Sequence, residues 1–596
     1  METQDDLIAY YRAELDALRR SGSAFAARHP KIAAGLELGA SGSADPHVER
    51  LIESFAYLTA RLQKRMDDRF PEITSALLDV LYPNLMQPVP PLTIAQCTAD
   101  PKRGKMTSGF RIPRGTRLFA DTADGHACRF QTCYDTTVWP LRVMEAGFVP
   151  KASFDFLDHR SDVQTVLRLR LEPQGMAMGE MELRTLRFYL NGATQLTGTL
   201  YELLLGHCVQ VGLYDAETKK VLLLDNDAVR AVGFHEGEEA IPAPPQAHPA
   251  YRLLQEYFLL PEKFLFLDVN GLDSNPSTSS LEILFLLGAL PRDRVTISPT
   301  NFRLGCTPVI NLYTRTSEPI RVDHRRSEYR LIPDLRREQT TEIHSVASVI
   351  ASVNPQESSA KVQPYYDFSG DAQNTVFWYA RRQQTSDASM GGTDMYLSFV
   401  DLQFDPRQPP STTVYAHLLC TNRALAQELS DGSLLQLEEP APLENIRCLM
   451  KPTATAYPPL GGSSRWALIS NLVLNHLSLD DSPSSLDVLK KMLKFYSLMD
   501  LPDVTRQIEG VRRMETKPIV RRTGTGWQGW SQGTQVRLHV DESYYSGVSL
   551  FLFASVLRHF FALYGSVNTF TELVLETTQK SVTHRFHPLR SEQPVL

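Results

Sequence analysis

The run Gly524-Thr525-Gly526-Trp527-Gln528-Gly529 has the glycine spacing of a dinucleotide-binding loop. In such a loop the glycines follow a buried strand and open a helix whose N-terminus meets the pyrophosphate. Here the preceding residues, KPIVRR, are polar, and the following residues, TQVRLHV, alternate like a strand. The sequence therefore predicts a hairpin loop at this position. A cytoplasmic nucleotide-dependent enzyme that uses Gly524 to Gly529 is kept as the alternative function.

Two tryptophans, Trp527 and Trp530, lie in and beside this loop. Exposed tryptophans on a loop are suited to docking, because such residues carry much of the binding energy of protein interfaces. We therefore predict both as contact residues for another protein.

Two other groups have the residue types of a metal site. Among His126, Cys128 and Cys133, the cysteines are five positions apart, so in one strand they point to opposite faces and cannot chelate one ion without a turn. His235-Glu236 begins like a zinc-protease helix, but Glu239 stands where the second histidine is required. We expect no metal site, no cofactor and no catalytic residue. An active site assembled from residues far apart in the sequence would leave no local motif, so this possibility is not excluded.

A basic run precedes the glycines and is interrupted by Glu509 and Glu515. The whole chain carries a net charge of -7, which does not favour a nucleic-acid partner. A solvated face or an acidic protein partner is the preferred interpretation. The basic residues are Arg506, Arg512, Arg513, Lys517, Arg521 and Arg522.

The composition is that of a globular protein with several domains. The chain has 596 residues, of which 42% are hydrophobic and 22% charged. Its N-terminus is acidic and then amphipathic, unlike a secretory signal, and seven cysteines fit reduced thiols better than a disulfide framework. We expect a cytoplasmic protein with no membrane-inserted segment; an exported effector or adhesin is disfavoured.

The elements that position these residues change along the chain. We predict an α+β multidomain protein with an N-terminal helical module over residues 1–90 and a mainly β domain over 91–249. A central mixed, mainly β domain follows over 250–440, and an α+β C-terminal domain over 441–596. The proline-rich stretch from Gly237 to Pro249 is the clearest predicted linker.

The N-terminal module carries two apolar stripes at helical spacing, separated by a small-residue loop from Gly35 to Ala44. Asp45 is the predicted N-cap of the second helix and Pro46 its first residue. The second stripe has the spacing of a helix-to-helix seam, so it is either ordinary core or a surface that packs against partner helices. The first stripe is Leu7, Tyr11, Leu15 and Leu18; the second is Val48, Leu51, Phe55, Leu58 and Leu62.

The stretch YRLLQEYFLLPEKFLFLDVNGL, from Tyr251 to Leu272, combines two elements. Leu253, Leu254 and Tyr257 recur at helical spacing, and Pro261 ends that helix. The residues after Pro261 are apolar on both faces, which is typical of a strand covered on both sides.

This stretch resembles the signature segment of the TssF family, the baseplate subunit of bacterial type VI secretion systems. The likeness extends over nearly the whole chain in the family's order. Other segments that carry it are YYRAELDALRRSGSAFAARHPKIA, VERLIESFAYLTARLQKRMDDRFPEITSALLDVLYPNLMQPVPP, FRLGCTPVINLYTRTSEPIRVDHRRSEYRLIPD, LCTNR and GVSLFLFASVLRHFFALYGSVNTF.

The resemblance implies a structural, non-catalytic protein at the inner face of the cytoplasmic membrane. In the family, two TssF copies join one TssG in a wedge around the spike hub VgrG, and TssK links the wedge to the membrane complex. The implied partners are thus TssG, a second TssF copy, TssK, VgrG and the sheath initiator TssE. The family is also similar to contractile phage tail baseplate wedge proteins, whose N-terminal helices form an intermolecular bundle. Both apolar stripes become candidates for that bundle.

Overall fold

The computed structural model describes most of the chain and divides it into two compact units. One unit is Met1–Tyr82 with Pro459–Val473, and the other is Pro83–Pro458 with Leu474–Leu596. The described residues are 8, 10–12, 14–19, 21, 25–26, 31, 38–39, 42–43, 45–69, 78, 85–122, 124–216, 218–225, 227–243, 249–274, 279–291, 295–323, 325–352, 360–365, 376–385, 390–401, 412–458, 483–497, 502–522, 530–564, 569–578 and 580–590.

Most strands in the described residues are short. Many of them lie in the centre of the chain, where mainly β structure was predicted. The strands of the first half are β1 (Leu38–Gly39), β2 (Gly42–Ser43), β3 (Leu92–Ala99), β4 (Phe110–Ile112), β5 (Arg117–Asp121), β6 (Ala127–Thr132), β7 (Thr136–Val138), β8 (Leu141–Pro150), β9 (Thr165–Pro173), β10 (Thr185–Leu190), β11 (Cys208–Asp215), β12 (Lys220–Leu223), β13 (Val229–Val232), β14 (Phe266–Asn270), β15 (Leu281–Leu287) and β16 (Phe302–Arg303). Those of the second half are β17 (Cys306–Ile310), β18 (Tyr313–Thr316), β19 (Ile320–Val322), β20 (Tyr329–Leu331), β21 (Glu342–Ser352), β22 (Ala360–Pro364), β23 (Val376–Gln384), β24 (Thr393–Asp401), β25 (Thr412–Thr421), β26 (Leu434–Leu437), β27 (Leu443–Cys448), β28 (Val511–Arg522), β29 (Trp530–Val540), β30 (Phe570–Thr577), β31 (Lys580–Arg585) and β32 (Leu589–Arg590).

The α-helices lie mainly towards the two ends of the chain. They are α1 (Pro46–Arg69), α2 (Thr194–Gly206), α3 (Pro249–Leu259), α4 (Pro483–Tyr496), α5 (Pro502–Gly510) and α6 (Leu550–Tyr564). Short 3-10 helices are Pro101–Arg103, Lys151–Ser153, Asp155–Leu157, Met178–Glu180, Pro261–Phe264, Leu272–Ser274, Pro299–Asn301, Leu335–Thr340, Leu425–Glu428 and Glu542–Tyr545. None of the helices among these described ranges is long and apolar enough to cross a membrane.

In its described residues the first unit is helical, as predicted, apart from one small hairpin. Residues 10–12 and 14–19 are helical, and β1 pairs with β2 inside the stretch predicted as a loop. The Asp45 side chain accepts a hydrogen bond from the His47 N–H at 2.8 Å, and Pro46 opens α1. The predicted N-cap is therefore present. Of residues 70–84, the structure describes Leu78, which is helical.

A closed barrel lies at the centre of the second unit, with the strand order β17-β3-β27-β26-β5-β6. Its interior is a continuous cluster of buried apolar side chains that includes Cys97, Phe130, Val309 and Ile446. The barrel is built from three distant parts of the chain, since β3 pairs with both β17 and β27.

Two antiparallel sheets combine strands from before and after the signature stretch, and one of them contains the strand of that stretch. One has the order β13-β14-β10-β16 and the other β12-β11-β15-β9-β8. The predicted strand of the signature stretch is β14, whose residues Phe266, Leu267 and Val269 are fully buried. The prediction of a strand covered on both sides is confirmed.

An eight-stranded sheet has the order β18-β25-β21-β22-β23-β24-β20, with β19 also paired to β25. Gly391 and Gly392 have φ angles of 58° and 87°, conformations that glycine adopts without steric cost, directly before β24. These two glycines thus turn the chain into β24.

The C-terminal region is α+β, as predicted. Its sheet has the order β28-β29-β30-β31, with β32 paired to β30, and β29 runs parallel to β30. The hairpin predicted around the glycine run is present as β28 and β29, which extend from Val511 to Val540. Helix α5 was not predicted from the sequence.

Strand pairing crosses two of the domain boundaries that were predicted from the sequence. Strands on either side of residue 249 pair, as in β10 with β14, and β27 from beyond residue 440 pairs with β3. The predicted linker is also partly packed, because Ala240 and Ile241 are buried. Residues 244–248 of it lie outside the described part, and Pro249 is the first residue of α3.

Candidate interaction surface

Helix α1 exposes an apolar stripe. Leu51, Phe55, Leu58 and Leu62 are 69%, 62%, 55% and 61% exposed, while Val48 is half-buried. Ala56 and Ala60 are fully buried and lie about 140° around the helix from the stripe. The larger apolar side chains thus face outward and the small ones inward, the reverse of an ordinary core helix.

An ion pair helps to fix which side of α1 faces inward. The Arg19 Nε atom donates to the Glu49 carboxylate at 3.0 Å. Glu49 lies on the same side of α1 as Ala56 and Ala60. This contact leaves the apolar stripe on the uncovered side of the helix.

The remaining predicted interface residues have different positions. Tyr11, Leu15 and Leu18 are half-buried on the N-terminal helical segment. Trp530 is the first residue of β29. The side chain of Trp530, together with Leu7 and Trp527, lies outside the described residues, so both tryptophan contacts stay predictions.

The glycine run lies between two antiparallel strands. Arg522, the last residue of β28, pairs in register with Trp530, the first residue of β29. Residues 523–529 are outside the described part, but a strand precedes and a strand follows them. A dinucleotide-binding loop needs a helix after its glycines, so the pairing favours the predicted hairpin connection.

Of the possible metal group, Cys128 and Cys133 are buried, whereas His126 is exposed. Burial raises the pKa of the Cys128 thiol to about 12 and also raises that of Cys133. Such thiols are poor metal ligands, because the thiolate is the binding form. In the described ranges, no group of three histidine, cysteine or acidic residues could hold a metal ion. All seven cysteines are unpaired.

The signature helix α3 contacts three other helices of the C-terminal region. The Tyr257 hydroxyl donates to the Gln507 side chain of α5 at 3.0 Å. Its ring lies 5.7 Å from the Phe553 ring of α6, and the Tyr251 ring stacks on Tyr496 of α4 at 4.7 Å. Tyr251 and Tyr257 thus hold α3 against the helices of the C-terminal region.

A buried ion pair lies beneath this helix and was not predicted. Lys263, on the 3-10 helix after α3, bonds to Glu256, and both side chains are almost fully buried. Lys263 also donates to the Gly233 carbonyl at 3.0 Å, while Glu256 accepts from the N–H groups of Ala240 and Ile241 at 2.8 and 2.9 Å. The pair thereby attaches residues 240–241 to α3. Sequence alone did not distinguish these charges from exposed ones.

Glu238 is a second buried carboxylate with a structural role, close in sequence to the residues that Glu256 binds. Its carboxylate accepts from the N–H groups of Gly233, Phe234 and His235 and pairs with Arg230. Burial opposes ionisation of Glu238, but these bonds and the Arg230 charge outweigh it and lower its pKa. The His235-Glu236 stretch is thus a turn closed by Glu238 and not a metal-binding helix.

The LCTNR motif joins the barrel to the eight-stranded sheet. The Asn422 side chain accepts from the Arg129 N–H and from the Asn311 amide, both at 2.9 Å. Arg423 has a φ of 52° and donates to the Gly391 carbonyl at 2.6 Å and to that of Thr341 at 3.1 Å. These bonds make the motif a structural link.

A cleft of about 670 Å³ opens between α2 and the start of α6. His207 lies there with its Nε2 atom 3.7 Å from the Glu202 carboxylate, beyond hydrogen-bond distance. Two hydroxyls of the lining are engaged, since Ser549 accepts from the Leu552 N–H and Ser546 from Arg506. The bonding partners of these two serines are thus a backbone amide and a guanidinium.

Comparisons with known proteins agree along the whole chain. The family model for "Type VI secretion system, TssF" matches residues 3–593. The type VI secretion system component TssF1 of Pseudomonas aeruginosa is 33% identical over 617 aligned residues, which cover 99% of each chain.

Solved structures share the fold at lower identity. A chain of the type VI secretion system TssK-TssF-TssG baseplate subcomplex, determined by cryo-electron microscopy, superimposes with a TM-score of 0.72 at 24% identity, covering 92% of this chain and 99% of that one. A chain of the type VI secretion system baseplate complex gives a TM-score of 0.60 at 22% identity, covering 99% and 100%. With its family match and its full-length relative, this chain belongs to the TssF family of type VI secretion system components.

Proposed function

We propose that this chain is a non-catalytic structural subunit of the type VI secretion baseplate, and that two copies join one TssG in a wedge. Membership of the TssF family supports this proposal. The single observation that carries it is the outward-facing stripe of Leu51, Phe55, Leu58 and Leu62 on α1. Large apolar side chains at this spacing are the anchors with which a helix packs against partner helices.

The stripe is large enough to matter energetically. Burying a leucine or phenylalanine side chain contributes about 1.5–3 kcal/mol each. Part of that gain offsets the loss of translational and rotational freedom on association. A bundle of such helices would therefore give one interface of moderate strength, which repetition around a ring makes stable.

The proposal includes further partners at the inner face of the cytoplasmic membrane. The solved relative that shares this fold was determined with TssK and TssG. We extend both contacts to this chain, and add a second TssF copy, VgrG and TssE as the neighbours that a wedge around the spike requires.

Replacing Phe55 and Leu58 by aspartate should abolish co-purification of the full chain with TssG. Two charges in the stripe cannot be buried against apolar partner helices. The unmodified chain and TssG should form a discrete complex of two chains to one TssG, measured by native mass spectrometry.

Tyr57→Asp is the matched control, because Tyr57 is 45% exposed on another side of the same helix. It should leave the complex intact. If the double variant keeps its circular dichroism spectrum and still binds TssG as tightly as the control, the stripe is not the interface.

A further inference from the structure

One face of the C-terminal sheet carries basic side chains from three strands. Side chains two residues apart in a strand share a face, so Arg513, Lys517 and Arg521 of β28 lie together. The strand register adds two more residues to this face. Arg537 of β29 lies opposite Glu515 of β28, and Val574 of β30 lies beside Arg537. Arg585 of β31 lies opposite Val574 and therefore shares the face. We call these side chains the basic face. They are Arg513, Lys517, Arg521, Arg537 and Arg585.

Glutamates form the floor beneath the basic face. Glu572 is fully buried and lies 2.7 Å from Arg521, and Gln535 donates to its other oxygen at 2.8 Å. Glu576 is buried and lies 3.2 Å from Arg537, which is half-buried. The acidic groups thus lie inside and the basic groups outside.

The outer cations are accessible although they are held in place. The Arg513 side chain is 70% exposed while it pairs with Glu515 at 2.9 Å. Arg585 is 56% exposed above Glu572. A guanidinium has five N–H donors in a fixed fork, so one that bonds to a carboxylate below still presents donors outward. Because its position is already fixed, less side-chain entropy is lost when it binds a second carboxylate.

The basic residues of this face outnumber its glutamates, so the face attracts negative charge. We propose that the basic face docks an acidic segment of another protein, whose carboxylates accept hydrogen bonds from Arg513, Lys517 and Arg521. This inference does not depend on the stripe of α1, which lies in the other unit of the chain.

The face, and not the edge of the sheet, is the docking surface. Among the strands that the structure describes, β28 is terminal in its sheet and pairs with β29 alone. It contains Pro518, which has no N–H to donate to an added strand. Proline and charged residues are typical of edges that resist strand addition. An acidic segment would therefore bind through side chains.

A protein segment is favoured over nucleic acid. Sheet surfaces that bind single-stranded nucleic acid stack bases on exposed aromatic rings. The register places two rings on this face, Phe570 and His539. Phe570 is buried, and His539 lies between Glu515 and Glu576, at 3.6 and 3.0 Å from their carboxylates. The chain is acidic overall, which disfavours an extended polyanion such as DNA.

The test is binding of a fluorescein-labelled peptide of alternating glutamate and serine to the full chain, followed by anisotropy. The double variant Arg513→Ser, Lys517→Ser should bind roughly fivefold more weakly at low salt, the sum of two exposed charge contacts. Binding by the unmodified chain should fall as ionic strength rises.

The matched control is the double variant Arg506→Ser, Arg512→Ser. It removes the same charge from the same basic run, but Arg512 pairs with Asp541 and stacks over Tyr544, and Arg506 bonds to Ser546, away from the basic face. The control should change affinity less than twofold. Both variants should keep the melting temperature of the unmodified chain.

Three results would overturn the proposal. One is that the unmodified chain does not bind the peptide, and another is that both double variants weaken binding equally, which would indicate general charge attraction. The third is that an oligothymidine of equal charge binds more tightly and depends on Arg513 and Lys517, which would make nucleic acid the ligand.

Discussion

At the scale of single residues, the buried pair of Lys263 and Glu256 is the polar contact of the signature stretch with the greatest consequence for stability. Each side chain is almost inaccessible to water. Removing one partner leaves a buried charge without compensation, which costs about 3–5 kcal/mol. We expect Lys263→Met to lower the melting temperature of the full chain strongly, measured by differential scanning calorimetry.

The double variant Lys263→Met, Glu256→Gln should recover part of this loss. A glutamine at position 256 keeps an oxygen for the N–H groups of Ala240 and Ile241 and carries no charge. Lys102→Met, at an exposed lysine, is the control and should have no effect. Equal destabilisation by Lys102→Met and Lys263→Met would contradict the role given to the pair.

At the scale of elements, the parallel pairing of β29 with β30 depends on a glycine. A Cβ atom at Gly533 would lie 2.4 Å from the Phe570 carbonyl oxygen and 2.6 Å from its ring. We expect Gly533→Ala to force the strands apart and to cost about 1–3 kcal/mol of stability. Faster amide exchange in β29 and β30 is the measurement that locates the effect.

Gly147→Ala in β8 is the matched control, because nothing lies within 4 Å of a Cβ atom there. That substitution should be neutral or slightly stabilising. If both variants exchange at the unmodified rate, the close approach at Phe570 does not constrain the sheet.

Elements with strong periodicity could be predicted from sequence, and others could not. Helix α3 and strand β14 followed from their apolar spacing and from Pro261. Helix α5 was missed because its residues are mostly polar, and its buried side, with Ile508 and Gln507, becomes visible only beside α3 and α6. Propensity is a weak signal for such a short helix.

The candidate surfaces were predicted to different extents. The apolar stripe of α1 could be found from the spacing of its residues. Whether the stripe faces a core or solvent depends on which elements cover it, and the spacing of residues does not show that. The basic run was visible in sequence, yet it separates into Arg513, Lys517 and Arg521 on one face and Arg506 and Arg512 elsewhere. The glutamates beneath the basic face come from β30, some 50 residues later in the chain.

At the scale of the whole molecule, the sheets are assembled from strands far apart in sequence. The barrel needs β3, β17 and β27, and β10 pairs with β14 across the proline-rich stretch. Long-range pairings of this kind become favourable only after large loops have closed. The second unit should therefore fold cooperatively, although its sequence suggests successive domains.

Cutting the chain at the sequence boundary tests this cooperativity. A fragment of residues 91–249 contains β3, β9 and β10 but lacks neighbouring strands of each. It lacks β17 and β27, which pair with β3, and β14, which pairs with β10; β9 keeps its partner β8 but loses β15. Their apolar faces would stay exposed, so we expect this fragment to be unfolded or insoluble, judged by circular dichroism and amide dispersion in NMR spectra. A fragment of residues 83–596 keeps β3 to β32 and is the matched control, which should fold and melt cooperatively.

A dispersed spectrum and a cooperative melt from 91–249 alone would show that its sheets are complete without the later strands. Failure of 83–596 to fold would show instead that the second unit requires the N-terminal helices.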